Sequence, residues 1–422
     1  MSYHIFEKGS DLLPAFSKPY TDESLSSWLT RLSFDHGLNR SALLKFIGAD
    51  SNYHQGDWGI DRVFNGKKIH ALASHTNCSA AEIQETTLMY YHGKLFNASA
   101  HNVIPPIWTV KSYHEESLLK PDAKTNTLFC PSCFSKKDTP IYYKKQWRLS
   151  ISFVCPDCEC YLMDHCPHYK KGSSGMNAPE VSARTIDDYF LECSKCGNDI
   201  SACVPRRAPK HIIEMQSQIN KYLKNGCNET GQGSVEYFKL LYKITALLLI
   251  RRKKDNLGAF IKHLYTLHNV VDFNPKVYNL HIAKLPLKLQ AEVFSMASWL
   301  LSEWPNRFIG LCKKYHLSSA DILRRCSDTP DWFEYIVRSH LDVFSDGRWR
   351  SRVRYRYQAT TELDTYSIRC NNHSDYDYDA DEAYYSGNPD NFIMGYTRYP
   401  LKSHHCATDL IYHQLKKAEG WS

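Results

Sequence analysis

The sequence predicts a mainly α-helical chain with one small cysteine-rich module, carrying short β elements, set between two helical regions. Three observations predict this. Apolar residues recur at helical spacing over 20–95 and again from about 210 onwards. Nine of the 15 cysteines fall within 128–203, a stretch with few helix signals. The composition, 43% hydrophobic and 23% charged over 422 residues, is that of a globular chain of two or three domains.

The N-terminal elements follow in order. Thr21 is expected to cap a first helix with Asp22 and Glu23 in its first turn and Leu25, Trp28, Leu29 and Leu32 as its apolar stripe. Gly37 stops it. Asn39 caps a second helix with Leu43, Leu44 and Ile47 on its inner face, which makes an N-terminal helix-turn-helix. A similar pair follows, first Ile69, Leu72 and Ala73, then a capping box from Ser79 to Glu82 before Ile83 and Leu88. These elements define an N-terminal region over 1–97. Residues 98–127, broken at Pro105-Pro106, read as a linker. Residues 128–205 hold strand-like pieces at Ile141–Tyr143 and Leu149–Val154.

The second helical region is expected over 206–345. Ile212, Met215, Ile219 and Leu223 keep helical spacing, a loop with Gly226, Gly231 and Gly233 follows, and helices are expected over 235–249, 256–268 and 288–302. A further helix-turn-helix candidate has Phe308, Ile309, Leu311 and Cys312 in its first helix. A capping box from Ser318 to Asp321 opens its second, with Ile322 and Leu323. Residues 346–422 form an extension rich in Arg, Tyr, Asp and His, without a clear core pattern.

Charge and hydropathy narrow the function classes. The net charge of +7 permits contact with nucleic acid without requiring it. No apolar run approaches the roughly 20 residues of a bilayer span, and Met1–Tyr20 has no apolar signal core. A cytoplasmic protein without a membrane partner is expected. In such a chain, cysteines paired at a spacing of two favour metal over disulfides.

The cysteines fall into two sets. Cys130-Pro-Ser-Cys133 and Cys155-Pro-Asp-Cys158 are two knuckles with 21 residues between them. Each spacer lets both sulfurs face one ion, and together they supply the four thiolates of a closed, structural Zn2+ site. Cys193-Ser-Lys-Cys196 is a third knuckle, with Gly197 placed to take a tight turn. Its best partners upstream are Cys166 and His168, which gives a second structural zinc site; His165 competes as a ligand, and Cys160 and Cys203 are possible substitutes. Interleaving of the sets, as in RING domains, stays open on spacing alone. Cys370, His373, His404, His405 and Cys406 make a poorly spaced third candidate. His114-Glu-Glu116 followed by Cys130 and Cys133 echoes the zinc deaminase pattern. No proline precedes Cys130, however, and 13 residues from Glu116 to Cys130 leave little room for the strand and helix of that fold. No catalytic residues are assigned.

Candidate nucleic-acid contacts are Arg40 and Lys45 on the second N-terminal helix, and Arg324 and Arg325 on the later one. In the extension Arg348, Arg350, Arg352, Arg354 and Arg356 alternate with Trp349, Val353, Tyr355 and Tyr357, so a strand would present five arginines on one face. The acidic stretch Asp375, Asp377, Asp379, Asp381, Glu382 offers itself as their neutralising partner.

The opening Pro19-Tyr-Thr-Asp-Glu-Ser-Leu-Ser-Ser-Trp-Leu-Thr-Arg31 resembles the start of TniQ/TnsD proteins, the target-site selectors of bacterial Tn-seven-like transposons. The family pattern continues with a C-P-x-C knuckle, a tryptophan-bearing strand, C-x-x-H, an aliphatic run and further cysteines. Cys130 and Cys133, Trp147, Cys155, and Leu162-Met-Asp164 before Cys166 match it. Cys158 stands in place of the histidine, and Tyr169 where many members have another cysteine. Trp304-Pro305 and Phe308 resemble a motif of the downstream helical part. The resemblance implies an adaptor that is no enzyme. It would link a target-recognition complex, either a CRISPR effector with guide RNA or target DNA itself, to an AAA+ ATPase regulator and the transposase, and would often act as a dimer. The length leans toward the shorter, TniQ-like, CRISPR-docking type. The alternatives are a TnsD-like selector that binds an attachment site directly, a zinc-containing helix-turn-helix transcription regulator, and, among enzymes, a RING-like ligase or zinc hydrolase.

Overall fold

A computed structural model of the chain describes residues 12–15, 17–49, 59–61, 66–97, 106–109, 127–168, 185–193, 196–227, 233–250, 255–270, 282, 285–324, 326 and 329–342. It is mainly helical, with a two-stranded sheet among the described residues. The chain divides into two compact units, 1–330 and 331–422. Arg325, the arginines of 348–356, the acidic stretch, the third cysteine–histidine candidate and His114–Glu116 lie outside the described residues.

The N-terminal helices are α1 (Leu25–Asp35), α2 (Arg40–Phe46), α3 (Gly66–His75) and α4 (Ala80–Glu85). Asn39 caps α2 through Ala42, and the Ser79–Glu82 capping box has both halves in place. The cap of α1 is Ser24, which accepts from Ser27 N; it is not Thr21. Asp22 sits in the left-handed region at φ 65°, and Tyr20 to Glu23 close a turn, so the chain enters the helix three residues later. Glu23 thereby leaves the first turn and is buried, at 1% exposure. Trp28, Leu29, Leu32, Leu43, Ile47, Ile69, Leu72 and Ile83 close one core beneath the four helices.

The cysteine-rich module contributes the turn α5 (Pro131–Phe134), strands β1 (Val154–Cys155) and β2 (Cys160–Tyr161), and α6 (Ile186–Leu191). The strands pair antiparallel, Val154 with Tyr161 and Cys155 with Cys160. Of the two longer strand-like pieces, Ile141–Tyr143 forms no ladder, and Leu149–Val154 enters one only at its last residue. Ile141–Tyr143 is irregular, and Trp147 lies in a 3-10 turn over Lys145–Arg148, where its buried ring packs edge-on against Phe134 and Tyr143. At 151–154 the backbone finds its partner in a helix: the buried Gln216 side chain accepts from Phe153 N (2.7 Å) and donates to Ile151 O (3.2 Å). One amide thus does the work of a neighbouring strand. Gln216→Leu is expected to orphan both backbone groups and lower stability by about 2–4 kcal/mol. A loss under about 0.5 kcal/mol in chemical denaturation would contradict this role.

The second helical region contains α7 (Lys210–Asn225), α8 (Ser234–Leu248), α9 (Asn256–Leu267), α10 (Leu287–Leu301), α11 (Asn306–Lys314) and α12 (Ser319–Leu323). Ile212, Met215, Ile219 and Leu223 are all buried, and Gly226 ends α7 in the left-handed conformation at φ 75°. The Ser318–Asp321 capping box opens α12. Part of the expected linker is core: Trp108 is buried against Phe238 and Tyr242 of α8, and Ser150 N bonds to its carbonyl. Among the described residues no helix is long and apolar enough to cross a membrane. In the second unit, α13 (Asp331–Leu341) carries a Glu334–Arg338 pair at 2.8 Å.

Candidate metal centres and the motif that braces them

The first cluster is assembled from two turns. Cys130 caps α5, with Pro131 at the first helical position, and its sulfur accepts from Cys133 N (3.3 Å). The β1–β2 hairpin supplies the other pair. Cys158 N and Glu159 N both bond back to Cys155 O, and Glu159 takes the left-handed conformation at φ 52° that closes the knuckle. The sulfurs of Cys130, Cys133, Cys155 and Cys158 all lie within 4.8 Å of one another. Cys133 Sγ stands 3.5 Å from both Cys155 Sγ and Cys158 Sγ. A tetrahedral zinc with bonds of about 2.3 Å needs its sulfurs about 3.8 Å apart, whereas a disulfide needs about 2 Å. These free thiols therefore fit a metal ion, and an all-thiolate donor set suits zinc.

Proton sharing among the sulfurs matches that role. Hydrogen bonding to Cys133, Cys155 and Cys160, followed by burial, holds Cys130 above the usual thiol range, while hydrogen bonds from Cys130 and Cys133 hold Cys155 well below it. Metal binding has to displace the shared protons, so affinity falls as pH falls.

The second cluster brings together Cys166, Cys193 and Cys196. Its knuckle repeats the geometry of the first. Cys196 N and Gly197 N bond to Cys193 O, and Gly197 takes φ 69° as the spacing predicts. Cys166 Sγ and Cys196 Sγ are 3.7 Å apart, and Asn198 Nδ2 donates to Cys196 Sγ (3.2 Å). His168 does not join this group. Its backbone amide serves the Cys166 sulfur, and its side chain is exposed. His165 is exposed too and is bonded to Asp164. Among the described residues, the two clusters are assembled in sequence order, without interleaving.

The remaining cysteines sort by environment. Cys160 Sγ lies 3.5 Å from Cys130 Sγ yet outside the four-sulfur group, and Cys203 is buried outside the second. Burial pushes the Cys312 and Cys326 thiols up to about 12, which keeps them neutral core residues.

The loop 142–148, between the two knuckles of the first cluster, grips the start of α1. Ser24 N bonds to Tyr143 O, Lys145 N to Asp22 O, and Tyr143 N to Ser27 Oγ. Two charged assemblies are buried here. Arg31 clamps Glu23 through both carboxylate oxygens (3.0 and 2.6 Å), and Ser27 Oγ and Tyr20 N add to the same carboxylate. Arg148 meets Asp61 (3.1 Å) and Ser26 Oγ (2.7 Å), and Asp61 accepts from Ser26 N and Oγ. Spacing arguments missed this network, because Asp61 and Arg148 become partners only through tertiary folding.

Of the candidate nucleic-acid contacts, Lys45 and Arg324 are exposed. Arg40 is not available as a base reader. It is 9% exposed at the first position of α2 and reaches inward to Ser26 O on α1.

Residues 14–162 match the model of the TniQ family, a span that takes in α1 to α4, the buried clamps and the whole first cluster. No curated protein matches the chain.

Proposed function

We propose that this chain, whose residues 14–162 match the TniQ family model, is a member of that family and selects target sites for a Tn-seven-like transposon as a non-catalytic adaptor. The family match over the helices and first cluster together is the observation that carries the reading. Two features support it. The four donors of the first cluster are all protein sulfurs, which suits a closed structural zinc and leaves no position for a reacting water. The sequential grouping of the cysteines favours local zinc knuckles over a RING-like cross-brace. Cys166, Cys193 and Cys196 would hold a second structural zinc.

In this reading the N-terminal helices and zinc module form a rigid platform. One side engages the target-recognition complex, a CRISPR effector with guide RNA or target DNA, and the chain then recruits the AAA+ regulator. The test is co-purification of the full chain with its cognate AAA+ regulator, in the presence of the target complex. Stable association is expected; its failure where the target complex itself assembles would overturn the adaptor role.

A further inference from the structure

We propose that Cys160 is a resolving thiol for the first centre: a peroxide joins it to Cys130 in a disulfide, and the centre then lets go of its metal. Four sulfurs already complete a tetrahedral site, and Cys160 is a fifth. Its Sγ lies 3.5 Å from Cys130 Sγ and 3.7 Å from Ser132 Oγ, and both cysteines are free thiols.

Backbone pairing puts the fifth sulfur there. Cys160 stands directly opposite Cys155 across the β1–β2 hairpin, so the two side chains share a face, and Cys155 belongs to the four-sulfur group. The other edge of β2 is held by 206–208, where Tyr161 N bonds to Arg206 O and Ala208 N to Glu159 O. Cys130 is held as the cap of α5. A disulfide of about 2 Å leaves about 1.5 Å for the two side chains to close.

A buried cysteine is commonly a small core hydrophobe. That role does not call for a sulfur set against a ligand sulfur. In the loaded centre the four ligands are committed to the metal, whereas Cys160, among the described residues, is the neighbouring sulfur left outside the group. It is 3% exposed and touches the half-buried Ser132, which limits access to small oxidants.

The chemistry balances with hydrogen peroxide as oxidant. Cys130, a thiolate when it serves as a ligand, attacks one peroxide oxygen. The O–O bond breaks, a sulfenic acid forms on Cys130, and the departing hydroxide takes the Cys160 S–H proton to become water. Cys160 then attacks the Cys130 sulfur, the S–O bond breaks, the S–S bond forms and a second hydroxide leaves. Two electrons pass from the sulfur pair to the peroxide. Loss of Cys130 from the centre frees loop 142–148, which seats α1. That oxidation thereby switches target selection off rests on the adaptor reading; the disulfide does not.

The test treats the full, reduced, zinc-loaded chain with hydrogen peroxide. Released zinc is followed with a chromogenic chelator, and disulfides are mapped by mass spectrometry after free thiols are alkylated. The first disulfide is expected to be Cys130–Cys160, formed in step with zinc release, and dithiothreitol with added zinc should restore both thiols and metal. Untreated Cys160→Ser and Cys160→Ala should hold as much zinc as the wild type, which separates a resolving thiol from a ligand. After peroxide, Cys130 in these variants should proceed to the irreversible sulfinic acid, and dithiothreitol should recover at least about five-fold less zinc than in the wild type. Disulfides confined to the four ligands, zinc loss from the untreated variants, or equal recovery in variant and wild type would overturn the proposal. The wild-type disulfide map decides it even where a variant fails to fold. Its readouts involve no AAA+ regulator, so failure here is distinct from failure of the adaptor role.

Discussion

Cys130→Ser is expected to remove about one metal equivalent per chain and to lower the melting temperature by roughly 10 °C or more. A closed thiolate site contributes roughly 10–16 kcal/mol to small zinc domains, which is as large as the whole stability of an ordinary protein. Cys130 is fully buried, caps α5 and touches the sulfurs around it. Its loss should also spread. Loop 142–148 is strung between the two knuckles and supplies Tyr143 O, Lys145 N and Arg148 to the N-terminal helices. Amide exchange should therefore rise in α1 as well as in 127–168. Cys312→Ser is the control. It lies in the helical core far from either cluster in sequence, and should cost stability without changing metal content. Equal metal content in wild type and Cys130→Ser would refute the assignment of the first site.

Glu23→Gln is expected to destabilise the protein by about 3–5 kcal/mol, because it leaves the Arg31 guanidinium buried without its counter-charge. Glu23 is 1% exposed and accepts four hydrogen bonds, from Arg31 Nε and Nη2, Ser27 Oγ and Tyr20 N. Tyr20 also stacks on the guanidinium at 4.0 Å. Replacing both Glu23 and Arg31 with apolar residues of similar size should cost much less than either single change, since no charge is then stranded. Urea denaturation of the three variants measures this. Additive losses in the double variant would show that the pair is not coupled.

The legible and illegible parts divide by range. Helices were readable where a cap and an apolar stripe lie close in sequence: Asn39 before Leu43, Ser79 with Glu82, Ser318 with Asp321. The sulfurs were readable because a two-residue spacing fixes a knuckle locally, and Gly197 marks the turn that closes one. The local pattern misleads where a distant residue decides. Thr21 has the chemistry of a cap, but Asp22 and Glu23 are held by loop 142–148 and by Arg31, which moves the cap to Ser24. The 149–154 stretch has the pattern of a strand, but Gln216, more than sixty residues on, takes its hydrogen bonds. His168 follows a cysteine at ligand spacing, yet its backbone amide faces the sulfur and its ring faces solvent. Arg40 has the charge and the helix position of a nucleic-acid contact and instead turns inward to α1. The motif from Pro19 to Arg31 carries the resemblance, and its physical content is the buried clamp at the start of α1, where α1 meets loop 142–148 of the cysteine-rich module.

The distribution of insertions in a reconstituted transposition reaction, with the transposase, the AAA+ regulator and the target complex, tests the central claim most directly. With this chain present, insertions are expected to concentrate at one site; without it, they should scatter or cease. The Cys130→Ser variant should behave like its omission. Identical insertion profiles with and without the chain would contradict a role in target selection.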